Sequence, residues 1–132
     1  MNQFLELCKC IFAFFGRISV WILGGLDSLI YALVVFIAID YITGVLLAVR
    51  NKKISSEVGY KGIIKKFLIF LIVSMANIID NHILGTGSTL RTLVIMFYLT
   101  NEGFSILENA GQMGLQIPKK LKDAIEKLNN NN

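Results

Sequence analysis

Residues 28–49, SLIYALVVFIAIDYITGVLLAV, constrain this chain more than any other stretch. The run is long and apolar, and Asp40 is its one charged residue. At 1.5 Å of rise per residue, about 20 residues cross the hydrocarbon of a bilayer. The thirteen Leu, Ile, Val and Phe residues in the run favour insertion by roughly 6 kcal/mol, and Asp40 takes back about half of that. Insertion wins, so the run is expected to span a membrane. Composition agrees. The chain has 132 residues, 55% of them hydrophobic and only 17% charged, which leaves too little polar surface to cover a soluble core. Its length is that of one domain, residues 1–132, and a single proline leaves long helices unbroken.

The rest of the chain reads as helices on either side of this span. Residues 67–84, FLIFLIVSMANIIDNHIL, are expected to form a second span, with Ser74, Asn77 and Asn81 spaced i, i+3 and i+7 as one polar stripe. The uncharged GTGS of residues 85–88 is a turn. Residues 90–109 are expected to form a third span. It carries Tyr98, Glu102, Ser105 and Asn109 at i, i+4, i+7 and i+11, and Asn101 and Glu108 widen that polar sector. Its apolar residues gain roughly what two carboxylates and the amides cost, so this span is marginal alone and needs partner helices. In residues 1–27 Glu6, Lys9, Ala13, Gly16, Arg17 and Gly24 recur at helical spacing, with Val20 the break. That pattern is an amphipathic helix with a wide apolar face. Spanning would put Arg17 near mid-bilayer at about 2.5–3.5 kcal/mol, which favours a helix in the interface plane with Trp21 at headgroup level.

Charge sets the expected orientation. Net charge is +4, and residues 50–66 hold Arg50, Lys52, Lys53, Lys61, Lys65 and Lys66 against Glu57 alone. This segment is expected to be a basic cytoplasmic loop running into the next helix, with Ser55 or Ser56 as its N-cap. Residues 115–132 are expected to be a basic cytoplasmic tail with a short helix. Pro118 stands in its first turn, Leu121, Ile125 and Leu128 form an apolar edge, and Lys119–Asp123, Lys122–Glu126 and Asp123–Lys127 form ion pairs. The terminal Asn run is expected to fray. Three spans then put residues 1–27 outside; four would put the N-terminus inside. The basic residues flank apolar runs rather than interleaving with aromatics on a soluble face, which argues against nucleic acid.

No catalytic constellation can be assembled from these residues. His82 is the only histidine, and Cys8 and Cys10 form a lone C-x-C far from it, short of the about four ligands of a metal site. No enzyme activity, metal or cofactor is expected. The informative residues are polar groups at membrane depth: Asp40, Asn77, Asn81, Tyr98, Asn101, Glu102, Ser105 and Asn109. They either hydrogen-bond between helices or line an aqueous opening in an oligomer. For Glu102 the opening is favoured, because within the spans only peripheral Arg91 offers a positive charge. Gly44 and Ala48 form a small-xxx-small pair suited to close helix approach.

Two stretches in order resemble the small phage holins related to clostridial toxin-secretion holins. The first is DYITGVLLAVRNKKISSEVGYKGIIKK, with Asp40, Thr43, Gly44, Ala48, Ser55, Ser56, Gly59, Gly62, Lys65 and Lys66. The second is FYLTNEGFSILENAGQMGLQIPKKL, with Asn101, Glu102, Ser105, Glu108, Asn109, Gly114, Ile117 and Pro118. The resemblance covers about residues 30–128 and leaves out the first helix. It implies a non-enzymatic, multi-pass protein of the bacterial cytoplasmic membrane. Such a protein oligomerises within the lipid bilayer at a timed threshold and opens large lesions. An endolysin or a toxin then leaves as cargo, without specific binding. An antiholin of the same fold, or a small-solute channel, is the alternative. The expected architecture is an all-α integral membrane protein with three transmembrane helices, an amphipathic N-terminal helix and a short cytoplasmic C-terminal helix.

Overall fold

The computed structural model describes residues 1–130, and among these every regular element is helical. Helix α1 runs Asn2–Leu23, α2 Ser28–Arg50, α3 Ser56–Ile78, α4 Thr89–Gln112 and α5 Lys119–Asn130. A π-helical turn, Ile79–Leu84, extends α3. The helix starts follow local chemistry. Asp27 caps α2 by accepting from the Ile30 amide at 3.0 Å, and Ser55 caps α3 by accepting from Val58 at 3.2 Å. Helix α1 ends in a Schellman turn, with the Gly24 and Gly25 amides donating to Trp21 and Val20.

Only residues 51–55 of the expected 50–66 loop lie between the helices. Lys61, Lys65 and Lys66 therefore sit on α3. Together with its π-helical extension α3 runs 29 residues, Ser56–Leu84, or about 43 Å, longer than the ~30 Å hydrocarbon. Ser28–Arg50 and Ser56–Leu84 are long and apolar enough to cross a membrane. The expected third span falls short on composition: α4 has the length, but Arg91, Glu102, Glu108 and its amides dilute its apolar content. Helix α5 also departs from expectation. None of the three ion pairs expected along it is among those formed by the described residues, where its charges point outward. The fraying expected of Asn131 and Asn132 lies outside the described residues.

Three helices share one core. Each contributes a buried stripe at i, i+3/i+4, i+7 spacing: Ile30, Leu33 and Ile37 from α2, Ile69 and Val73 from α3, Ile95 and Leu99 from α4. Helix α4 is the centre of the bundle and packs against α2, α3 and α5, whereas α1 packs mainly along α3, meets α4 through its last residue, Leu23, and has no buried residue. The outward faces of α2 and α3 are apolar: Ile39, Ile42, Leu46, Leu68, Leu71 and Met75 are exposed. This inverts a soluble protein's pattern and fits a lipid surround. In lipid the hydrophobic effect does not hold helices together, so close packing and polar contacts must do it.

Candidate functional site

Each buried stripe ends in ionisable or amide groups. Following α2 gives Ile30, Leu33, Ile37, then Asp40; α3 gives Lys66, Ile69, Val73, then Asn77 and Asp80; α4 gives Arg91, Ile95, Leu99, then Glu102. The helices align so that Asp40, Lys66 and Glu102 meet in one layer at one end of the apolar core. Asp27, Asp80 and Arg91 meet in another at the opposite side. The layers are about 16–21 Å apart along the helices.

In the inner layer Lys66 Nζ donates to Asp40 Oδ2 and, at 2.7 Å, to Glu102 Oε2. One ammonium thus joins three helices. Asn109 completes the layer, its Nδ2 donating to Asp40 Oδ1 at 3.1 Å and to Thr43 Oγ1 at 3.0 Å. Gly44 lies beside that amide, and a Cβ there would stand in ordinary van der Waals contact, 3.7 Å from Asn109 Nδ2. A cleft of about 790 Å³ opens beside the layer, lined by Gly44 and Ala48 of α2, Ser55 and Gly59 of the α3 start, and Ser105 and Glu108 of α4. It gives a polar approach to Asp40 and Lys66, which also line it. The apolar core closes the other side.

The outer layer fastens the turns. Arg91, 3% exposed, donates from Nε to the Leu23 carbonyl at 2.6 Å and from Nη1 to Asp27 Oδ2 at 2.7 Å. It thereby pins the α1–α2 turn to α4. The Arg91 guanidinium beside Asp27 holds that carboxyl below the usual carboxylate range. Fully buried Asp80 accepts from the Arg91 amide at 2.7 Å, the Leu90 amide at 3.0 Å and Thr86 Oγ1 at 2.6 Å. It satisfies the α4 N-terminus from the end of the preceding helix.

These positions sort the expected site residues. Asp40, Glu102 and Asn109 come together, and Ser105 lines the adjoining cleft. Asn77 does not join them: its Nδ2 donates to the Ile22 carbonyl at 2.9 Å, and Asn81 donates back to Asn77 Oδ1 at 2.9 Å. Tyr98 packs beside the core and edge-on to Phe97. Asn101 is exposed. The expectation that Glu102 lacks a basic partner within the spans is overturned by Lys66, which the sequence reading placed in a loop.

The sequence profile of the bacteriophage holin family matches residues 17–130 of this chain. The chain belongs to the bacteriophage holin family. A "probable holin" of Bacillus phage phi105 is 38% identical over 94 residues, 71% of this chain and 69% of that one. An uncharacterized 14.9 kDa protein of Clostridium perfringens is 40% identical over 131 residues, 98% of each chain. An uncharacterized protein of Listeria monocytogenes is 47% identical over 111 residues, 84% of this chain and 79% of that one. No solved structure matches. The holin family is one of non-enzymatic membrane proteins, and the apolar outer faces of α2 and α3 belong with that class.

Sequence reasoning about this holin-family chain missed Lys66, Asp27, Asp80 and Arg91. A signal was present. Lys66, Ile69, Val73, Asn77 and Asp80 recur at i, i+3, i+7, i+11 and i+14, one helix face, so Lys66 continues the buried stripe while Lys65 does not.

Proposed function

We propose that this chain is a holin: it accumulates in the bacterial cytoplasmic membrane, oligomerises, and opens lesions wide enough for a folded endolysin or toxin to leave. Membership of the holin family carries the reading, and the inner ion layer supplies its physical logic. A carboxylate at membrane depth needs a partner or water. Within the folded chain Lys66 is that partner for both Asp40 and Glu102. When copies crowd, the exposed polar residues of α4, Asn101 and Glu108, meet neighbouring chains, water enters the cleft and the layer can open. Charge that moves with it couples to the membrane potential by about 2.3 kcal/mol per elementary charge per 100 mV. Helix α4 crosses as the third span, held by the company of α2 and α3. The basic segments and α5 lie on the cytoplasmic side, and α1 rests on the outer interface.

The test is induction of the chain alone, then together with a cytoplasmic lysozyme that has no export signal. Alone, growth halts abruptly and the membrane depolarises; with lysozyme, the culture clears. Sustained growth with a polarised membrane at high expression would assign an antiholin's restraining role instead. Depolarisation without lysozyme release would assign a small-solute channel.

A further inference from the structure

Helix α5 has a placement that the bilayer alone does not permit. Ile125 is 6% exposed because α5 folds back along α4 and seats this side chain in the notch left by Gly103. A Cβ on Gly103 would lie 3.0 Å from Ile125 Cδ1 and 3.3 Å from Ile125 Cγ2. From Gln112, where α4 ends, back to Gly103 is about 13 Å of helix rise. Gln112 also marks the end of α2, since Arg50 Nη1 donates to its carbonyl at 3.3 Å. Ile125 therefore lies well inside the cytoplasmic helix ends, one residue along α4 from Glu102. Yet Lys122, Asp123, Glu126 and Lys127 are all exposed there and form no ion pair among the described residues. At the same depth the outward faces of α2 and α3 show Ile39, Ile42 and Leu68 and a single exposed cation, Lys65, against four exposed charges on α5. Unpaired charges at that level belong against water, not hydrocarbon, so the bundle has lipid-facing sides and one wet side.

We infer that docked α5 is the water-facing wall of the lesion, seated on α4 through Ile125 and Gly103; the inference rests on the holin reading above. A lone copy in lipid holds α5 away from α4, at the headgroup plane, where its lysines meet anionic phosphates. Docking and lesion opening are then one event.

The exposed thiols Cys8 and Cys10 are first replaced by serine. Into this full-length background go Gly103→Cys and Ile125→Cys, and the chain is expressed without endolysin while a potential-sensitive dye marks triggering. Disulfide yield under an added oxidant, read by mass spectrometry of the linked peptides, is expected to rise at least fivefold when the membrane depolarises. An equal or lower yield after triggering overturns the inference. A second variant, Lys122→Leu with Glu126→Leu, alters only exposed side chains. It is expected to accumulate normally by immunoblot and to trigger at least twofold later, because an apolar outer face has no call for water. Unchanged timing overturns the inference while leaving the holin reading intact. A parent chain that never depolarises the membrane removes the holin reading, and this inference with it.

Discussion

Lys66 is the residue on which the bundle's polar interior turns. It faces two carboxylates, one from α2 and one from α4, so its loss strands both. Replacing it by Met is expected to cost about 3–5 kcal/mol, the penalty for breaking a buried ion pair from one side, read from denaturant titration in detergent. Glu102→Leu leaves Lys66 and Asp40 as a balanced pair, so that variant should keep its fold, losing about 1 kcal/mol or less, and change its triggering time. Gly24 is constrained in a different way. Its φ of +88° is left-handed, and a Cβ would stand 2.5 Å from Asn77 Oδ1 and 2.7 Å from Arg91 Nε. Gly24→Ala is expected to destabilise by about 1–3 kcal/mol, strain and displaced hydrogen bonds together, measurable in the same titration.

At the level of elements, α4 is held by what surrounds its ends. Its N-terminus is capped from outside the helix by Asp80. Its first turn pins the α1–α2 junction through Arg91 and Asp27. That junction has a pH dependence with a definite sign. Asp27 titrates below its ordinary value of about 3.9 because Arg91 stabilises the ionised form. Its contribution to stability is therefore complete above the unfolded value and lost as pH falls through the lower folded one. Melting temperature in detergent should drop as pH is lowered below about 4, and Asp27→Asn should start lower and drop less. Equal slopes in the two proteins would show that the carboxylate carries none of the effect. Helix α1 is held only at this end, through the Ile22 and Leu23 carbonyls, and has no buried residue. Its apolar side chains, Phe4, Phe12 and Phe15 among them, are free for the membrane interface.

For the whole molecule, the two ionic layers and the apolar core between them set how the bundle sits in a bilayer. With the hydrocarbon centred on α2, the inner layer lies close to mid-depth and the outer layer near the boundary. In the proposed orientation the basic ends emerge on the cytoplasmic side. A fluorescent protein fused after Asn130 is expected to be bright in cells, and a periplasm-dependent phosphatase fused at Gly87 active. Reversal of either signal would refute three crossings in this orientation. The same placement underlies the role proposed for α5 in the lesion. It carries four exposed charges, unpaired among the described residues, alongside a membrane-depth helix, and an aqueous neighbour accommodates them.

The chain's amino acids alone determined its class, its helices and its family. Apolar content over about 20 residues, caps such as Ser55, and the run from Asp40 to Lys66 all act locally, and local signals are legible one after another along a chain. Which polar groups would be partners was decided only by the tertiary structure. Lys66 stands 26 residues from Asp40 and 36 from Glu102, and Asn77 stands 55 from the Ile22 carbonyl it satisfies. The seat of Ile125 at Gly103 likewise needs α5 to fold back over α4. Hydrophobicity falls off with nothing but sequence neighbourhood, whereas a hydrogen bond or an ion pair is a matter of ångströms, and ångströms between distant residues exist only once the helices have packed.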